Sequence, residues 1–179
     1  ISKGEKEADE VIRGCKIIWD NLPEWMKVPL VTDNTECLEV AGGGRIMAFP
    51  STTSAGRSFA GATGILFDEA DFHKDFGASY DVLMPLIQNT GGRLFAVSTP
   101  DFEKVDTDFK RLYRRSERRF YLGYFSRPGR TEEGWAKGYG LAADPARYEK
   151  ENSRTEEEAL APAQALAAFD LNVLRLMEA

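Results

Sequence analysis

Ile65-Leu66-Phe67-Asp68-Glu69 is the stretch that decides the fold. Three consecutive apolar residues stopped by two acids read as a strand buried on both faces, the kind that parallel sheets use. Such a strand delivers the side chains at its end to the carboxyl edge of the sheet, where α/β proteins bind their ligands. Leu94-Phe95-Ala96-Val97 is a second run of the same kind, and it ends in Ser98-Thr99-Pro100, 29 residues after Glu69. Between the runs, Ala78, Val82, Leu83, Leu86 and Ile87 recur at helical spacing over roughly 78–89. Pro85 lies inside that stripe and is expected to kink or split the helix. Strand, helix and strand in about 35 residues make a βαβ unit, so Asp68 and Ser98 are expected to terminate adjacent parallel strands on one edge.

Working outward, Ser2-Lys3-Gly4-Glu5 reads as a capping box with Ser2 as N-cap. Ala8, Val11, Ile12, Cys15, Ile18, Trp19 and Leu22 then predict a helix over about 5–20 that buries this face and stops at Asn21-Leu22-Pro23. Residues 36–40 and 45–49 form an expected hairpin across Ala41-Gly42-Gly43-Gly44. Pro50 to Gly61 reads as a loop that opens a short helix, with Arg57 its single charge. Trp19 and Trp25 are read as core and loop packing. Downstream, a helix is expected at about 102–117 and an aromatic strand at Phe120-Tyr121-Leu122-Gly123-Tyr124-Phe125. Ser126 to Gly140 reads as loop with one short helix, and 144–161 as a polar stretch containing Glu156-Glu157-Glu158. The alternation of strands and helices predicts an α/β domain.

The 179 residues carry 29 acids against 23 bases, a formal charge of −6, with 42% hydrophobic and 29% charged residues. That is ordinary globular composition, and it excludes a disordered or collagenous chain. No apolar run approaches a membrane span, so no membrane partner is expected. Cys15 and Cys37 have no metal-ligand spacing and His73 is the lone histidine, which argues against a zinc site or disulfide scaffold and for a reducing compartment. The negative total argues against coating nucleic acid with the whole surface, yet it leaves room for a local basic patch. Lys110, Arg111, Arg114, Arg115, Arg118 and Arg119 place six cations in ten residues. On a helix Arg111, Arg114, Arg115 and Arg118 share one stripe, a candidate contact for DNA phosphates, with a solvated face or subunit contact as the alternative.

An apolar strand ending in Asp-Glu is the Walker B arrangement of nucleoside triphosphatases. Asp68 would hold Mg²⁺, usually through water, and Glu69 would polarise the attacking water. The alternative is simply the solvated end of a strand. Ser98 and Thr99, at the end of the neighbouring strand, can contact those acids or a terminal phosphate and couple its loss to motion, or they can be an ordinary Ser-Thr-Pro turn. Two such strand ends at this spacing are more specific than either alone. His73 reads as a polar loop histidine or a phosphate sensor.

Gly43-Gly44-Arg45-Ile46, Pro50-Ser51, Gly56-Arg57-Ser58-Phe59-Ala60-Gly61, Leu66-Phe67-Asp68-Glu69-Ala70, Gly92-Arg93-Leu94 and Val97-Ser98-Thr99-Pro100 together resemble the large subunit of tailed-phage terminases. Trp135, the acids at 156–158 with Ala159, and Phe169-Asp170 extend the resemblance more weakly. The resemblance implies a P-loop NTPase core, a mainly parallel sheet flanked by helices, at 1–168, and a linker toward a nuclease domain at 169–179. It implies ATP and Mg²⁺, double-stranded DNA driven into a procapsid, a portal protein, a small terminase subunit and a homo-oligomeric ring. The setting implied is the host cytoplasm, at the portal. It also implies that Arg57, 12 residues before Glu69, is an arginine finger serving a neighbouring subunit, against the plainer reading of a structural or DNA-touching arginine. The family's phosphate loop, Gly-x-x-x-x-Gly-Lys-Ser/Thr or a relative, does not occur in the sequence. The chain therefore reads as a central fragment that by itself binds ATP poorly and hydrolyses it negligibly. Asp68-Glu69-Ala70-Asp71 also spells the signature of DEAD-box helicases, a rival reading, and a non-catalytic α/β assembly module is the alternative of another class.

Overall fold

Apolar residues three and four apart give α1 (Glu5–Asp20) its inner face: in the computed structural model, which describes residues 1–2, 4–52, 54 and 59–161, Ala8 and Ile12 meet Ala48, with Val11 at the margin. Ile18, expected on that face, is exposed. The expected capping box does not form. Gly4 is the N-cap and makes no side-chain bond to the helix, while Ser2 is buried beside Pro50 in a parallel bridge. Sheet-type pairing draws Ser2 away from the cap: its N–H donates to Phe49 O at 3.0 Å and its carbonyl accepts from Ser51 N at 2.8 Å. Asn21 takes the C-cap as expected.

The expected hairpin is β2 (Cys37–Val40) with β3 (Arg45–Met47), turned by Gly42 and Gly43 at φ 97° and 91°. An unforeseen strand, β1 (Leu30–Asp33), pairs antiparallel with β2 and completes a three-stranded sheet. Its turn is local chemistry, because the Asn34 carboxamide oxygen accepts from the N–H groups of Glu36 and Cys37. Trp25, read as loop packing, is 84% exposed.

The βαβ unit is present. β4 (Gly64–Phe67) and β5 (Arg93–Ala96) pair in parallel, Ile65 opposite Leu94 and Phe67 opposite Ala96, joined through α2 (Phe76–Gln88). Phe67 is fully buried against Phe76, and Leu83 and Ile87 of α2 are buried as well. The chain is thus mixed α/β with a small parallel sheet. Two expectations are corrected. Pro85 does not split α2, because the bond it forfeits belongs to the carbonyl of Asp81, an exposed residue that water can serve. Nor are the strands buried on both faces: Ile65 and Phe67 face the core, while Leu66, Phe95 and Val97 are 48%, 55% and 48% exposed. On its other edge β4 pairs with Ile1, whose N–H donates to Leu66 O at 2.6 Å and whose carbonyl accepts from Asp68 N at 2.9 Å.

Contacts gather the chain into two compact units, Ile1–Ser98 and Thr99–Ala179. The second contains α3 (Asp108–Arg115), α4 (Glu132–Leu141), α5 (Pro145–Glu151) and α6 (Glu156–Leu160). Thr107, Thr131, Asp144 and Thr155 each cap one of them, accepting from a backbone N–H in the first turn. α3 is shorter than the expected 102–117 helix at both ends. Before it, the buried Lys110 ammonium donates to the carbonyls of Asp101 and Lys104, each at 2.5 Å, and holds the chain in a loop; after it, Ser116 is the C-cap. The expected strand at 120–125 is not one. The Tyr121 hydroxyl and Tyr124 N–H both donate to Ser153 O, so this segment docks through individual contacts rather than a ladder. Among the described residues no helix is long and apolar enough to cross a membrane.

Trp135 anchors the second unit. Its indole N–H donates to Asn152 O at 2.8 Å, and Arg154 lies 4.2 Å over its ring while pairing with Glu158 at 2.9 Å. Burial alone would raise the Glu158 pKa, but bonds from the Arg154 backbone and side chain outweigh it and hold the carboxyl below its usual value. A depressed acid adds stability above its unfolded pKa, about 4.3, and loses it as pH falls through the folded value. Glu158→Gln is therefore expected to melt with a shallower pH dependence below about pH 4.3 than wild type. Parallel acid limbs in thermal melts of the two proteins would contradict this.

Candidate functional site

Parallel pairing brings both strand ends to one edge. Phe67 is the last residue of β4, so Asp68 and Glu69 leave the sheet there, half-buried. Ala96 is the last residue of β5, and Ser98 lies two residues beyond it. Val97 N donates to Phe67 O at 2.9 Å, which continues the pairing past the strands. The chain then reverses at Glu69, which has φ 52° and ψ 44° and is the only non-glycine residue at positive φ among those described. A left-handed conformation costs an ordinary residue about 1–2 kcal/mol, and such strain gathers where a side chain must be aimed.

Several bonds hold the reversal against β5. Ala70 N donates to Val97 O at 3.0 Å, and Asp71 N donates to the Ser98 hydroxyl at 3.0 Å. Phe72 N donates to Glu69 O at 3.0 Å, closing a 3-10 turn over Ala70–Phe72. His73 is 6% exposed, and its Nε2 donates to Asp68 O at 2.7 Å. Burial pushes the His73 imidazole below its usual pKa, and the bond to Asp68 offsets part of that.

The predicted residues sort unevenly. Asp68, Glu69 and Ser98 come together, whereas Thr99 follows as an exposed residue, the first of the second unit. Arg57 lies outside the described residues, as do 169–179. Arg111 pairs with Asp106 and Asp108, and Arg114 with Asp106 at 3.0 Å, so two of the four stripe cations already have carboxylate partners. Arg115 is exposed at the end of α3, and Arg118 falls beyond it, off the expected helical stripe. His73 is a buried tie rather than a polar loop residue. Sequence reasoning missed that role and the conformation of Glu69; for the histidine the available signal was its place five residues after Asp68, between Phe72 and Phe76.

No group of three or more His, Cys, Asp or Glu among the described residues could hold a metal by itself. The donor set at the edge, a carboxylate at 68 with a second at 69, fits Mg²⁺, which keeps several waters and binds through one or two carboxylates plus substrate phosphates. A cavity of about 430 Å³ lies elsewhere, beside Arg45, Phe49, Phe59 and Gly64, Ile65 and Leu66 of β4; Asp68, Glu69 and Ser98 do not line it. No family model and no curated protein matches the chain.

The Ser98 bond can be tested alone. Ser98→Ala removes the acceptor of the Asp71 N–H, and leaving a part-buried donor without it costs about 1–3 kcal/mol. Ser98→Thr keeps the hydroxyl and is expected to retain most of the stability. Equal denaturant midpoints for wild type and Ser98→Ala would show that the bond does not hold the edge.

Proposed function

We propose that this chain belongs to an ATP-driven motor of the tailed-phage terminase kind, and that the Asp68–Glu69 edge is its hydrolytic edge. The observation that carries the reading is the tie between the two strand ends: the hydroxyl at the end of β5 accepts from the backbone of the turn that begins with the acids. That arrangement suits a P-loop-type sheet, in which an acidic strand end and a hydroxyl-bearing one flank the reacting phosphate. ATP is the proposed substrate, and double-stranded DNA, a portal protein, a small terminase subunit and a ring of like subunits are the proposed partners. The phosphate loop does not occur in these 179 residues, so the proposal requires that another segment of the polypeptide supplies it.

At this edge the chain's own residues do two things. The Asp68 carboxylate would hold Mg²⁺, and the ion, when bound, would neutralise charge on the phosphate oxygens. The Glu69 carboxylate orients a water in line with the terminal phosphorus, so that the new P–O bond forms as the bond to ADP breaks. Ser98, tied to the same turn, would with Thr99 couple the loss of phosphate to movement, as proposed for this edge.

Two expectations test this in a protein that includes a phosphate loop. Glu69→Gln keeps size and hydrogen bonding but loses the carboxylate, so turnover is abolished while Mg-ATP binding survives; Asp68→Asn instead weakens Mg²⁺-dependent binding. Wild-type hydrolysis by Glu69→Gln would sink the assignment. If Arg57 acts on a neighbour's ATP, inactive Arg57→Ala and inactive Glu69→Gln proteins regain part of the activity when mixed, because some interfaces then pair an intact finger with an intact acid. An Arg57→Ala protein that hydrolyses ATP at the normal rate removes the finger role.

A further inference from the structure

We propose that His73 is a positioning residue: through the carbonyl of Asp68 it fixes the backbone of Glu69 in its left-handed conformation, and so fixes where the Glu69 carboxylate is aimed. The φ angle of Glu69 is the rotation of its Cα relative to the peptide plane that carries the Asp68 carbonyl. That plane is pinned by His73 Nε2 at 2.7 Å. The following plane, which carries the Glu69 carbonyl and sets ψ, is pinned by Phe72 N at 3.0 Å. Both planes are held at the strained values of 52° and 44°, the conformation in which these bonds are made.

The imidazole is suited to this by its surroundings. It lies 5.9 Å from the ring of Phe67 and 6.4 Å from that of Phe76, centroid to centroid, in the core beneath β4. Its Nδ1 is buried with no hydrogen-bond partner. A bare buried acceptor is a liability that an aliphatic or aromatic side chain of similar size would avoid. What the histidine supplies in return is a rigidly placed donor at Nε2. Because a carbonyl can only accept, the geometry also assigns the tautomer, with the proton on Nε2 and Nδ1 bare.

The consequence for catalysis rests on the proposed role of Glu69 as the group that orients water; the consequence for the backbone does not. The chain has one histidine, so its imidazole nitrogen signals are unambiguous by NMR. At about pH 8, where the ring is neutral, wild type is expected to show the Nε2–H tautomer. His73→Leu removes the donor, and His73→Gln keeps a side-chain N–H of comparable reach. In the leucine variant the backbone shifts of Glu69 are expected to leave the left-handed range. Its Ala70 and Asp71 amides should then exchange about tenfold faster, while Leu38 and Ile46 of the hairpin keep their protection. The glutamine variant should stay close to wild type. An Nδ1–H tautomer, an unchanged Glu69 in His73→Leu, or equal behaviour of the two variants would each overturn the proposal, and the tautomer can be read even if His73→Leu fails to fold. In a protein with a phosphate loop, His73→Leu is expected to lower kcat about tenfold or more, with KM for ATP within about twofold, and His73→Gln to restore it. Normal hydrolysis by Glu69→Gln would refute the function and leave the backbone role standing. An inactive Glu69→Gln beside a fully active His73→Leu would refute the positioning role alone.

Discussion

The parallel pairing of β4 with β5 is the constraint on which the first unit depends. Parallel strands need a crossover, and α2 supplies it while covering the face that carries Ile65 and Phe67. Because the strands run the same way, their carboxyl ends coincide, and Asp71 and Ser98, 27 residues apart in sequence, are brought within one hydrogen bond of each other. An antiparallel partner would have sent Ser98 to the far end of the sheet. The acids at 68 and 69 gain a chemical neighbourhood only through this choice of direction. Phe67, fully buried at the last position of β4, keeps the strand from sliding and so sets the depth at which the acids emerge.

The site is held by backbone bonds, with side chains as ties. Ala70 and Asp71 both reach the residues just after β5, one through the Val97 carbonyl and one through the Ser98 hydroxyl, and His73 reaches back to Asp68. A turn held at so many points can keep one residue in an unfavourable conformation, as a free loop cannot. The basic run of the second unit is organised differently. Arg111 and Arg114 converge on Asp106, whose pKa is lowered chiefly by the hydrogen bond from Arg111. Exposed pairs of this sort add little stability, but they do spend part of the positive charge before any polyanion arrives.

The sequence made the βαβ unit and the carboxyl edge legible because short apolar runs, a helical stripe and two abrupt polar ends agree with one another. α1 and the β2–β3 hairpin were legible for the same reason, with Gly42 and Gly43 marking the turn. Where the reading failed, a tertiary contact outweighed a local signal. Ser2 has the chemistry of a cap but pairs with the backbone around Pro50. Lys110, counted with the basic run, is buried and holds the 101–104 loop, which shortens the helix after it. Phe120 and Leu122 look like strand residues yet remain exposed, and their segment follows Ser153 instead of a sheet. Continuous apolar runs suggested two covered faces, although Leu66, Phe95 and Val97 lie open. The conformation of Glu69 had no sequence signal at all, because positive φ in a non-glycine residue is imposed by its surroundings.

The central claim is that this edge receives the metal and the phosphates of a nucleotide. Paramagnetic Mn²⁺ in place of Mg²⁺, added with ATP to a protein that contains these residues and a phosphate loop, reads that location directly through the broadening of amide signals. Broadening centred on Asp68, Glu69 and Ser98, which fades toward Gly64 and Arg93 at the opposite ends of β4 and β5, is the predicted result. Broadening centred on Gly64 and Arg93, or none in either strand while ATP is bound, would contradict it.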